Sequence, residues 1–133
     1  MEILRQLFNE EEIEDLIKVE EEIKYLPKEQ VRKVLKFLST QNCTNQMMRN
    51  IINTYPQVLL RPIEELEDLN NKLEDYGIKN RHLIFDKYPY FLMKEGYEID
   101  TFFFQKMKEG LEEKDIIKIL EEEPYKIELI YDN

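Results

Sequence analysis

Five cations, Arg32, Lys33, Lys36, Arg49 and Arg61, fall in the stretch between Glu29 and Glu64, where not one acidic residue occurs. Clustered Lys and Arg are the residue types that neutralise phosphates. If successive helices stack, these five can reach one surface and form a polyanion-binding patch. They can equally serve to neutralise the glutamates of neighbouring helices. The whole chain carries 19 Lys and Arg against 29 Asp and Glu, a formal charge of −10 that repels polyanions at long range.

The other chemistry-bearing types are sparse. His82 is the single histidine and has no metal-ligand spacing around it, so it reads as a surface helix residue. Cys43 is the single cysteine; it sits in a polar loop beside Asn42 and Thr44, lacks a nearby histidine to act as base, and cannot form an intramolecular disulfide. The glutamate runs 10–12, 20–22 and 121–123 are consecutive, so on helices they point around the axis rather than at one ion. With 3 Gly in the chain there is no Gly-rich phosphate cradle. No acid/base or nucleophile set assembles, and neither a cofactor, a metal nor a small-molecule substrate is inferred.

Aromatic residues are concentrated instead. Tyr88, Tyr90, Phe91, Tyr97, Phe102, Phe103 and Phe104 all lie between residues 88 and 104. Neighbouring helical positions differ by ~100° in direction, so three consecutive phenylalanines cannot all face one core. At least one meets another helix layer or a partner; Tyr90, Tyr97 and Phe104 are the candidate partner-binding aromatics.

The elements that must position these groups are helical. Apolar residues recur at three- and four-residue spacing, and few glycines are available for sharp turns. Asn9 caps a predicted acidic helix over 10–25 carrying Ile13, Leu16, Ile17 and Ile23. Pro27 opens a second helix with Val31, Val34, Leu35 and Leu38, and Thr44 caps a third that ends at Tyr55-Pro56. Arg61-Pro62 starts a fourth with Leu66, Leu69 and Leu73, stopped by Gly77. Asn80 caps the next helix, which ends at Tyr88-Pro89. Ile99, Phe102, Phe103 and Met107 then precede Gly110, and Ile116, Ile117, Ile119 and Leu120 lead to Pro124.

Pro56, Pro89 and Pro124 are spaced by 33 and 35 residues and close the same pattern. Ile51, Ile84 and Ile119 lie five residues before the proline, and Leu59, Leu92 and Ile127 three after. Gly77 and Gly110 both follow their proline by 21 residues. A unit of helix, proline bend and second helix cannot bury its own apolar face, so such units must stack.

The run Leu38, Thr44, Met48, Ile51, Ile52, Tyr55-Pro56, Val58-Leu59-Leu60, Leu69, Leu73 and Gly77, followed by Leu83-Ile84, Tyr88-Pro89, Phe91-Leu92 and Gly110, resembles the mitochondrial transcription termination factor repeat. The resemblance covers roughly residues 30 to 130. It implies an all-α, right-handed stack of helical hairpins, and a groove that in that family binds nucleic acid. The matched positions are packing positions, so no binding residue carries across.

The expected layout is a single all-helical domain: N-terminal capping helices over 1–43, repeats over 44–77 and 78–110, and a partial repeat over 111–133. The expected role is a non-enzymatic binding module that recognises a protein or a second copy of itself. The alternative is nucleic-acid binding through the basic stretch 31–63. An incomplete last repeat would leave an apolar edge able to pair in a dimer, with a fraying end at Tyr131-Asp132-Asn133. Neither a leader nor a membrane span is seen, so the mature chain is expected to start near Met1 and to be cytoplasmic.

Overall fold

In the computed structural model residues 3–131 are described, and among them all regular structure is helical. Met1 and the end at Asp132-Asn133 lie outside the described residues. A short 3-10 turn, Leu4–Gln6, precedes seven α-helices: α1 (Glu10–Val19), α2 (Lys28–Thr40), α3 (Asn45–Thr54), α4 (Ile63–Asp75), α5 (Arg81–Lys87), α6 (Gly96–Lys108) and α7 (Glu113–Glu122). Between them lie 3-10 segments at Glu21–Tyr25, Pro56–Leu60 and Pro89–Met93, and a last one, Pro124–Tyr131, follows α7. The Thr101 to Phe104 run is helical, as its spacing predicts.

The acidic helix does not run to Tyr25. It stops at Val19, because Glu20 takes an extended conformation (φ −139°, ψ 94°) and its own carboxylate accepts a hydrogen bond from the Glu22 N–H at 3.4 Å. That local bond competes with the helix. The 3-10 segment that follows packs against Pro56–Leu60 and buries Ile23 completely, so a tertiary contact overrides local continuity.

The break makes residues 10–40 follow the same order of elements as residues 45–75: a ten-residue helix, a five-residue 3-10 segment and a thirteen-residue helix. The backbone repeats as well. Glu20, Tyr55, Tyr88 and Glu123 close their helices at φ −139°, −139°, −143° and −136°. Glu21 therefore stands where later segments have Pro56, Pro89 and Pro124.

The second helices end alike. The N–H groups of Cys43, Ile78 and Leu111 each donate to a carbonyl five residues earlier, on Leu38, Leu73 and Lys106, all at 3.1 Å. The residue before each is left-handed: Asn42 at φ 70°, Gly77 at 82° and Gly110 at 95°. This is the glycine-type helix stop, in which a following apolar residue folds back onto the helix. Cys43 is accordingly buried rather than held in an open polar loop, and Asn42 is the counterpart of the two glycines.

Packing follows three rows. Helix α2 lies against α4 and α4 against α6; α3 lies against α5 and α5 against α7; the Glu21–Tyr25, Pro56–Leu60 and Pro89–Met93 segments touch one another in succession, and Pro124–Tyr131 packs on α6 and α7. One continuous core results, with Phe85, Phe91, Phe102 and Phe103 fully buried at its later end. Each such side chain contributes about 1.5–3 kcal/mol by leaving water. Asn9 and Thr44 cap as expected, accepting from Glu12 and Met47 N–H at 2.8 and 3.1 Å. Asn80 does not cap α5; its amide donates to Glu121 Oε2 on α7 at 3.2 Å.

Candidate functional site

The five cations do not converge on one surface. Arg61 is 4% exposed and turned inward. Its Nη1 donates to the carbonyl oxygens of Leu92 and Lys94, the latter at 2.9 Å, and Nη2 meets Glu95 Oε1 at 3.1 Å. These carbonyls end the Pro89–Met93 segment, whose last acceptors have no partner within the turn. Arg49, half-buried, pairs with Glu12 at 2.7 Å and donates to the Leu7 carbonyl, tying the start of the chain to α3. Its guanidinium holds the Glu12 carboxyl below the usual range. Both arginines bond inward because buried carbonyls and carboxylates offer them more than water does.

Arg32, Lys33 and Lys36 remain exposed together on α2, with Arg32 paired to Glu29 at 2.6 Å. Lys33 and Lys36 line a cleft of about 540 Å³ between α2 and α4. Its other wall carries Glu64 and Glu67, so the basic stretch meets acid directly across the gap.

The candidate aromatics divide. Tyr90 is half-buried, edge-on to Tyr55 at 5.0 Å between centroids, with the Lys94 ammonium 4.8 Å above its ring. It is a packing residue. Tyr97 and Phe104 are 64% and 63% exposed; they lie seven residues apart and so share one face of α6. Met107, at 51%, extends the same surface, which the expectation for Tyr97 and Phe104 did not include. Phe102 and Phe103 are buried, so of the three consecutive phenylalanines Phe104 faces out.

Beside that face lies a shallow groove between α4 and α6 of about 460 Å³, lined by Tyr76, Asp100, Thr101, Phe103, Phe104 and Met107. Tyr76 and Phe103 stack at 3.9 Å with planes 12° apart. The Tyr76 hydroxyl donates to Asp100 Oδ1 at 2.6 Å, and Lys72 Nζ reaches Oδ2 at 3.1 Å. Burial, reinforced by the bond to Asp100, pushes the Tyr76 hydroxyl up to about 12, while that bond lowers Asp100. The groove floor is therefore neutral at Tyr76 and apolar at Phe103.

Cys43 is buried and its thiol is pushed up to about 12, first by desolvation and then by Asp86, which leaves it a thiol at neutral pH. His82 is partly buried on α5, and its Nδ1 has no hydrogen-bond partner among the described residues. No three His, Cys, Asp or Glu side chains among the described residues are grouped to hold a metal ion. Among those residues no helix is long and apolar enough to cross a membrane.

Tyr76 shares the apolar face of α4 with Leu66, Leu69 and Leu73 in the sequence, but its stack under Phe103 went unread, as did Asn70, a buried amide at the α2–α4 cleft. The available signal for Asn70 was a polar residue 33 positions before Phe103, within an otherwise apolar stripe. No protein-family model, no curated protein and no solved structure matches this chain.

Proposed function

We propose that the chain is a non-enzymatic module of stacked helical hairpins, similar to the termination factor repeat, that binds another protein or a second copy of itself through the outer face of α6. The observation that carries the reading is the exposure of Tyr97, Phe104 and Met107 on one helix face, next to the groove of Tyr76 and Phe103. Aromatic and methionine side chains left together in water are the residue types that anchor protein interfaces. The stacked-unit part of the reading is supported by the 33- and 35-residue proline spacing and by the matching junction dihedrals.

The test is sedimentation velocity over a wide concentration range, together with site-specific photo-crosslinking from position 101 in cells. Self-association, or one identified protein crosslinked at 101 and then bound by the purified chain, is expected. Phe104→Ser should abolish either signal without lowering the melting temperature. A strict monomer that yields no crosslinked partner overturns the reading.

Nucleic-acid binding now rests on Arg32, Lys33 and Lys36. Fluorescence anisotropy with labelled DNA and RNA at low salt tests it, and affinity that falls steeply with salt would shift the assignment to α2.

A further inference from the structure

The cleft between α2 and α4 occupies the place in its pair of helices that the Tyr76–Phe103 groove occupies in the next, yet its floor is different. Where α6 has Phe103, α4 has Asn70, which is 8% exposed, lines the cleft, and has an Oδ1 with no hydrogen-bond partner among the described residues. Buried amide oxygens in folded proteins are supplied with a donor, because desolvating one without compensation is costly. Here the surrounding protein supplies none.

The walls specify what else the donor must carry. Lys33 and Lys36 are three residues apart and share a face of α2; Glu64 and Glu67 are likewise three apart on α4. A simple anion entering the cleft meets two carboxylates, and a simple cation meets two ammonium groups. Only a molecule bearing both charges suits both walls. Packed helices have axes ~8–10 Å apart, so the two charges of a bridging molecule must be several bonds apart. Phe37 and Ile63 provide apolar contact for the linking atoms, and about 540 Å³ is a volume suited to a small molecule.

We propose that the α2–α4 cleft binds a small zwitterion whose carboxylate and ammonium are separated by several bonds, as in a short peptide with free termini or an ω-amino acid. The carboxylate lies on Lys33 and Lys36. The ammonium lies between Glu64 and Glu67 and donates to Asn70 Oδ1. This site is separate from the α6 face and stands whether or not that face binds protein.

The experiment is a ¹H–¹⁵N chemical-shift titration of the full chain with diglycine and with 6-aminohexanoate, using acetate and ethylammonium as single-charge probes. Saturable shifts confined to residues 33–41 and 63–71 are expected with a zwitterion, with affinity at least tenfold weaker for either single charge. Tighter binding of diglycine identifies a peptide, and tighter binding of 6-aminohexanoate an ω-amino acid. Asn70→Leu, which places in α4 the residue type found at Leu35 of α2, should cost at least tenfold in affinity. If that variant does not fold, the exposed pair Lys33→Ala and Lys36→Ala carries the test and should cost as much. Absence of saturable shifts, equal shifts with acetate or ethylammonium, or full affinity in the variants overturns the proposal.

Discussion

Arg61 and Lys94, 33 residues apart, each close a proline-led 3-10 segment, and the guanidinium of the first donates to the backbone carbonyl of the second at 2.9 Å. Gln30 does the same one unit earlier, its amide donating to the carbonyls of Leu59 and Arg61 at 3.0 and 2.8 Å. One unit later the Lys94 ammonium reaches Glu128 in the last 3-10 segment. Gln30 and Arg61 thus each satisfy the carbonyls that end the next 3-10 turn, whereas Lys94 meets a side-chain carboxylate instead. Arg61, one of the five cations read from the sequence as a possible polyanion-binding patch, is a structural clamp.

Removing that clamp leaves two buried carbonyls without donors. Arg61→Ala is expected to lower unfolding free energy by about 2–4 kcal/mol in urea titration, since each orphaned acceptor costs roughly 1–3 kcal/mol. Arg32→Ala, which breaks an exposed pair, should change it by less than about 0.5 kcal/mol. Equal effects from the two would contradict the assignment.

Glu21 occupies the position of a proline whose φ is preset for a first turn, and the extended Glu20 before it is the conformation that a following proline favours. Glu21→Pro should therefore stabilise by about 0.4–1 kcal/mol through the unfolded chain, read as a rise in melting temperature. A fall would show that Glu21 does not share the backbone setting of Pro56, Pro89 and Pro124.

At Gly77 and Gly110 a Cβ would meet no atom within 4 Å, so any cost of substitution comes from the positive φ alone. Gly77→Ala should cost about 1 kcal/mol, and Gly77→Asn less, because asparagine tolerates this conformation. Asn42, at φ 70°, already makes that choice in the first unit. Thermal melts of the two variants give the order directly.

Acid should weaken the contacts of Glu12 on α1 and of Asp100 on α6. The bond from Arg49 lowers Glu12, and the bond from Tyr76 lowers Asp100. A carboxylate with a lowered folded pKa stabilises above its unfolded value and loses that contribution as pH falls through the folded one. Stability should thus decline as pH drops below the ordinary values of 4.5 and 3.8, and Asp100→Asn should flatten the decline. A pH series of urea midpoints from 7 to 2 measures both.

Alkali acts through groups with raised values. Burial pushes Tyr76, Tyr88 and Cys43 up to about 12, from ordinary values of 10, 10 and 9. The unfolded chain releases these protons first, so their contribution is intact below about pH 9 and is lost progressively up to 12. Tyrosinate absorbance near 295 nm should rise together with unfolding, and Tyr76→Phe should move the transition to higher pH. Titration of all tyrosines near 10 in the folded protein would refute it.

Helical type, most of the helix boundaries and the proline period were legible in the sequence because they rest on local signals: apolar spacing, Thr44 and Asn9 caps, X-Pro bonds and terminal glycines. These depend on neighbours a few residues away, which the sequence displays directly. The break at Glu20 was not legible, because no proline marks it and Ile23 continues the helical spacing; its contact with the Pro56–Leu60 segment decides it. Nor could Asn42 be matched to Gly77 without its φ. The direction of a long side chain was equally hidden. Arg61 in an acid-free stretch reads as a free cation until the carbonyls of Leu92 and Lys94, some thirty residues on, come within its reach. Phe104 and Phe103 are the same residue type side by side, and only the position of α4 determines that Phe103 stacks on Tyr76 while Phe104 faces water. Local chemistry chose the elements; which side chains face solvent and which hold the fold together was decided by partners far apart in the chain.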